Sequence, residues 1–121
     1  MATESALYTT WSAVLVGREA LGLAVFQEAI AYYEKRKAAG KIADFRIGIT
    51  ELGAVSEQSG YMIAEGSRDQ IQAIVDDEDF KRIVVKATHV VPFSISRCST
   101  GTAIGGAVER LLAVRKELGI I

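Results

Sequence analysis

Hydrophobic patterning changes its period several times along this chain, and the order of those changes constrains the fold more than any single motif. A short apolar run from Ser12 to Val16, within the stretch Thr10 to Gly17, reads as a strand buried on both faces. From Arg18 to Ala39 apolar residues recur at helical spacing. Leu23, Phe26, Ile30 and Tyr33 form one stripe, and Leu21, Val25, Ala29 and Tyr32 widen it. Gln27, Glu28, Glu34 and Lys35 take the opposite side, and Gly40 is placed to end the helix in a left-handed cap.

Alternation returns at Phe45 to Leu52, where Phe45, Ile47 and Ile49 share one parity and Arg46, Gly48 and Thr50 the other. A polar connector, Gly53 to Gly60, leads back into Tyr61 to Glu65 as the second arm of a hairpin. The connector is too long to decide whether Met62 or Ile63 shares a face with Ile49. Ser67 and Gln70 then match a capping box that opens a second helix. The acidic run Asp76 to Asp79 is expected to break that helix, with Asp76 capping a second segment whose buried stripe is Phe80, Ile83, Val84 and Ala87. Val90 to Ser96 is the last strand, with Pro92 marking an edge or a bulge, and Thr102 to Leu118 is a further helix stopped by Gly119.

The order is β-α-β-β-α-β with an extra C-terminal helix. It predicts an α+β fold, an antiparallel ferredoxin-like sandwich, with residues 1–121 as a single domain. Half the residues are hydrophobic, enough to bury a core, and a net charge of −1 gives no footprint for nucleic acid. The basic cluster Lys35, Arg36, Lys37 and Lys41 ends a helix, where cations suit the dipole. No run is long enough to span a bilayer, Met1 to Tyr8 lacks the pattern of a secretory signal, and the single Cys98 suits a reducing compartment. A cytoplasmic protein without membrane or nucleic-acid partners is expected.

The element order, the length and the acidic break followed by an aromatic (Asp76 to Phe80) ahead of a Val-rich strand resemble the dimeric α+β barrel superfamily. Gly60 through Pro92 carries most of the likeness, which is to small stand-alone members without an assigned reaction. Members of that superfamily include cofactor-free monooxygenases, lactone isomerases, haem-dependent enzymes and ligand-sensing domains. The resemblance implies a homodimer and leaves the chemistry open. Strand parity points the same way. The large residues of the second and fourth strands (Phe45, Ile47, Ile49; Phe93, Ile95) are expected to face the helices, and the other parity a partner sheet, a ligand cavity or water; a first strand apolar at both parities favours a second subunit there.

Candidate ligand-binding residues are Trp11, Arg46, Glu65, His89 and Ser94. His89 is the only histidine, which excludes sites with several imidazole ligands. It leaves a single haem ligand or a general base as options beside the plainer reading of a helix end. Glu65, late in its strand, needs a partner such as Arg46 if it points inward. Cys98 is read as a small hydrophobe, not a nucleophile. Thr100 is read as an N-cap, with Gly101, Gly105 and Gly106 allowing close packing. Trp11, Tyr32 and Tyr33 are candidates for an aromatic pocket. No metal site and no resident cofactor are expected. The functional expectation is a homodimer that binds a small molecule in a pocket at the sheet. The alternative is a cofactor-free monooxygenase or isomerase in which Arg46, Glu65 or His89 positions the substrate.

Overall fold

The computed structural model describes residues 3–120 and places the first strand earlier than the apolar run suggests. β1 is Ser5–Trp11, and residues 12–16 form a loop in which Val16 is 97% exposed. Leu7, Thr9 and Trp11 alternate inward while Ala6, Tyr8 and Thr10 face outward, a period of two written mostly in polar residues. Pro92 ends the ladder on one side because it has no N–H to donate. The chain runs on beside it through Ser12 N–H to the Pro92 carbonyl (3.0 Å) and Leu15 N–H to the Val90 carbonyl (2.9 Å). β1 is therefore not apolar at both parities and gives no reason for the second sheet face to be covered. Met1, Ala2 and Ile121, which the N-terminal signal and 1–121 domain readings include, lie outside the described residues.

The remaining elements are α1 (Glu19–Ala38), β2 (Asp44–Ile49), β3 (Gly60–Gly66), α2 (Arg68–Asp76), α3 (Glu78–Thr88), β4 (Phe93–Ser99) and α4 (Ile104–Glu117), the last entered through a 3-10 turn at Gly101–Ala103. The four strands pair antiparallel in the order β2-β3-β1-β4. β4 starts at Phe93, directly after Pro92, and is an edge strand. Ile47 pairs with Met62 and Ile49 with Gly60, so Met62 shares the helix-facing side with Ile49, and Ile63 faces out. Both large-residue parities expected to face the helices do so. Because β2 is the outer strand, however, Ile49 stays 60% exposed at its end.

The capping box forms: the Gln70 N–H donates to Ser67 Oγ, and the Ser67 N–H donates to the Gln70 side chain. The helix break falls one residue later than expected. Asp76 remains the last residue of α2, where its carboxylate accepts from Gln72, and Asp77 becomes the cap of α3 by accepting from the Asp79 N–H. Gly40 takes φ +70° after α1. The core then gathers Leu7, Met62 and Ala64 from the sheet, Tyr33 from α1, Ile71 and Ile74 from α2, Phe80 from α3, and Ile42 from the α1–β2 connection. Ile42, 2% exposed, sits outside any periodic run, so no pattern marks it.

At the C-terminus, α4 contains no buried residue, and its apolar stripe Ile104, Val108, Leu111, Leu112 is about half exposed. Gly105 and Gly106 have open space where a Cβ would stand, contrary to the close packing expected of them. Gly101 alone is tightly placed, at φ +52° against the Thr3 backbone. Thr100 makes no side-chain cap, and its buried hydroxyl has no hydrogen-bond partner.

Gly60 is required for a different reason: a Cβ there would meet the Trp11 ring at 2.6 Å and the Gly48 carbonyl at 2.5 Å. Gly60→Ala is expected to cost about 1–3 kcal/mol in urea unfolding, the usual penalty of overpacking. Gly105→Ala, in open space on a helix, is expected to gain up to about 1 kcal/mol and to raise far-UV helicity.

Candidate functional site

The helix layer does not fill the space above the sheet. Between α1, α3 and the β1–β4 half of the sheet lies a cavity of about 340 Å³. Its floor is Thr9, Trp11, Met62, Phe93 and Ile95, and its roof includes Phe26, Ala29 and Tyr32 of α1 and Ile83, Val84 and Ala87 of α3. Small residues, Ala29 on α1, Ala87 on α3 and Thr9 on the sheet, stand among the larger ones that line it and leave room between them. The loop at 12–16 contributes Val14, whose methyls lie against Gly22, 2.8 Å from where a Cβ would be. Of the apolar run at 12–16, Val14 thus joins the cavity wall, while Leu15 and Val16 are exposed.

Three polar ties hold α1 and α3 together over the void. At one end Arg18 Nη1 donates to the His89 carbonyl at 2.6 Å. Midway, Lys86 Nζ lies 3.0 Å from a Glu28 carboxylate oxygen. At the far end the Tyr32 hydroxyl donates to Asp77 Oδ2 at 2.6 Å, Arg36 Nε donates to the same hydroxyl at 2.8 Å, and Arg36 Nη2 reaches Asp77 Oδ2 at 3.1 Å. Asp77 therefore caps α3 with one oxygen and fastens it to α1 with the other.

These contacts set the local titration. Burial, and then the bond to Asp77, push the Tyr32 hydroxyl up to about 12, so it remains a donor. The Tyr32 hydrogen bond, and then that of Arg36, hold the Asp77 carboxyl below the ordinary carboxylate value. Burial also raises Tyr33.

Of the five residues proposed from sequence, Trp11 alone lines the cavity, packed edge-on against Phe26 at 5.5 Å between ring centroids. Arg46 and Glu65 form an ion pair, but on the outward sheet face, with the Arg46 side chain 60% exposed. It is a surface pair and contributes little to stability. The buried pair considered from sequence does not form, because Asp44, not Arg46, stands opposite Glu65 and both side chains lie on the solvent side. Ser94 lies exposed on the same outward face, opposite Thr10. His89 is the C-terminal cap residue of α3, its N–H bonded to the Ala87 and Lys86 carbonyls. Cys98 pairs with Ala6 at the other end of β4 from His89, so the two do not meet. Arg46, Glu65, His89 and Ser94 thus do not converge on the cavity.

The aromatic trio Trp11, Tyr32 and Tyr33 does converge there. Asp77 and Arg36 were missed as site residues. Asp77 was read as a helix start, and Arg36 as one of a cluster of terminal cations. Their joint role depends on a contact across more than forty positions of chain. Among the described residues no group of three or more His, Cys, Asp or Glu is arranged to hold a metal ion, and no helix is long and apolar enough to cross a membrane.

Compared by structure, the chain matches a dimeric protein of unknown function and ferredoxin-like fold from Bacteroides fragilis (TM-score 0.55, 8% identity, covering 79% of this chain and 96% of that one). The fold is ferredoxin-like. A provisionally named antibiotic biosynthesis monooxygenase from Deinococcus radiodurans also matches, with TM-score 0.58 and 12% identity over 82% of this chain and 94% of the other. So does a dimeric ferredoxin-like protein from an uncultured marine organism, with TM-score 0.50 and 16% identity over 82% and 96%. These neighbours agree with the dimeric α+β barrel resemblance at the level of fold. No family model matches the sequence, and no curated protein matches it.

The acid dependence of the α1–α3 tie follows from the lowered Asp77 carboxyl. Its folded value lies below its unfolded one, so the ionised group stabilises the protein above the unfolded value, near pH 4. That contribution is lost as pH falls through the folded value. Asp77→Ala is expected to cost about 1–2 kcal/mol at pH 7 through loss of the cap. Asp77→Asn, which keeps a capping oxygen, should lose less, and its deficit against the native protein should close between about pH 5 and pH 2 in urea titrations.

Proposed function

We propose that this protein is a homodimer that binds an apolar small molecule in the cavity between α1, α3 and the sheet. The cavity carries the reading: at about 340 Å³ it is more than twice the about 150 Å³ that suffices for benzene in an engineered apolar void, and it falls in the range of natural ligand pockets. Apolar side chains dominate its lining, and Glu19 is the one charged residue among them. Of the five residues first put forward as ligand contacts, Trp11 is retained in that role. Arg46, Glu65 and Ser94 lie on the outward face, where they would meet a second subunit, and His89 at the helix end.

Support for the dimer comes from two fold neighbours described as dimeric and from surfaces that the monomer leaves uncovered. On the outward sheet face Tyr61 lies over Gly48 and beside Tyr8, with ring centroids 6.2 Å apart. The stripe on α4 is uncovered as well. A cytoplasmic setting fits the single cysteine.

The monooxygenase or isomerase alternative draws on the provisional name of the Deinococcus neighbour. It requires polar groups aimed at a bound substrate, and the residues first put forward for that work lie elsewhere. Binding without chemistry is the reading the geometry supports better.

Trp11 is the only tryptophan, so its fluorescence reports cavity occupancy directly. Titration with a neutral naphthalene derivative is expected to change Trp11 emission saturably and to raise Tm by mass action. Ala29→Phe, which fills the roof, should abolish both effects while far-UV dichroism is retained. Linear, unsaturable quenching in the native protein would remove the binding reading. Light scattering is expected to give twice the chain mass, 26 kDa against 13.0 kDa for one chain, and a monomer at micromolar concentration would remove the dimer.

A further inference from the structure

Two hydroxyls on the cavity wall have no hydrogen-bond partner among the described residues. Thr9 stands in the centre of β1 on the helix-facing side, with Met62 beside it on β3 and Ile95 on β4. Nothing in that apolar setting bonds to its side chain. Tyr33 is only 4% exposed, its ring stacked on Phe45 at 4.9 Å and flanked by Tyr32 and Phe80. Its hydroxyl is likewise without a partner. Among the described residues the hydroxyl sealed off without a partner is that of Thr100, so the Tyr33 hydroxyl, on a residue that lines the cavity, keeps open space beside it. Tyr32 shows the contrast on the next residue: its hydroxyl donates to Asp77 and accepts from Arg36, and so has no proton to offer a ligand.

Resting on the cavity-binding reading above, we propose that Thr9 and Tyr33 are the residues that select the ligand, and that the ligand is a neutral apolar molecule carrying a carbonyl oxygen. Each hydroxyl has a proton to donate, and a carbonyl accepts without offering a competing donor. Burial keeps Tyr33 protonated and hence a donor. A carboxylate is disfavoured, because the only charged lining residue, Glu19, is itself an acid and nothing would offset desolvation of the anion. Size favours two fused rings or their equivalent over one.

The test uses three matched probes, 2-acetylnaphthalene, 2-ethylnaphthalene and 2-naphthoate, titrated by Trp11 fluorescence. They are applied to the native protein and to the near-isosteric double variant Thr9→Val/Tyr33→Phe. In the native protein the ketone and the hydrocarbon are expected to bind and the naphthoate not. In the double variant the ratio of ketone to hydrocarbon affinity should fall several-fold, up to about tenfold, as expected for lost hydrogen bonds. The Tm of the unliganded variant should not fall, because neither hydroxyl has a partner to lose.

An unchanged ratio with both neutral probes bound would overturn the assignment while leaving cavity binding intact. Binding of naphthoate comparable to the ketone would overturn the ligand class. A clear fall in unliganded Tm would show that the hydroxyls serve the fold and would equally overturn the assignment. If no probe binds the native protein, the cavity reading fails and this inference falls with it.

Discussion

The carboxylate of Asp77 is the contact on which the helix layer depends. It stands between α2 and α3, satisfies the Asp79 N–H in the first turn of α3, and anchors α3 to Tyr32 and Arg36 of α1. Without that anchor the polar ties among the described residues would be the Lys86–Glu28 pair and the Arg18–His89 contact, both at exposed positions, beside the packing of Tyr32 and Tyr33 on Phe80. A roof spanning a cavity has few dispersion contacts beneath it. Polar ties along its seam therefore carry more of the burden than they would over a filled core.

That division of labour explains why the two halves of the helix layer differ. Over β3, Ile71 and Ile74 of α2 are fully buried and pack against Met62, Ala64 and Leu7. Over β1 and β4, Ala29 and Ala87 line open space. One half is built from large aliphatic residues that exclude water and ligand alike. The other mixes small residues with aromatic and aliphatic ones around that space. Stability is concentrated in the first half, and room for a guest in the second.

Much of the architecture was legible in the chain because helices and strands impose different periods on the same apolar residues. The capping box at Ser67 and Gln70, the acidic break, the inward parity of Phe45, Ile47, Phe93 and Ile95 and the edge position of β4 all follow from local chemistry. The first strand was misplaced for an equally local reason. Its inward residues Leu7, Thr9 and Trp11 are interrupted by polar ones, whereas the continuous apolar run beside it looked more like a buried strand. Of that run Val14 walls the cavity and covers Gly22, and none of it lies in the sheet.

The candidate site was legible only in its aromatic part. Trp11, Tyr32 and Tyr33 stood out by residue type, and all three reach the cavity. Asp77 and Arg36 did not, because their meaning lies in a contact between α1 and α3, and Arg46, Glu65 and Ser94 lie on the sheet face away from the cavity. The sequence by itself determined the order of elements, the capping box that opens α2 and the parity of β2 and β4, since these depend on neighbours a few residues away. Only the tertiary structure decided that a cavity exists, which hydroxyls in it are left without partners and which face each charged residue occupies. Those properties depend on the register between strands and on the distance at which one helix crosses another, and no local period encodes either.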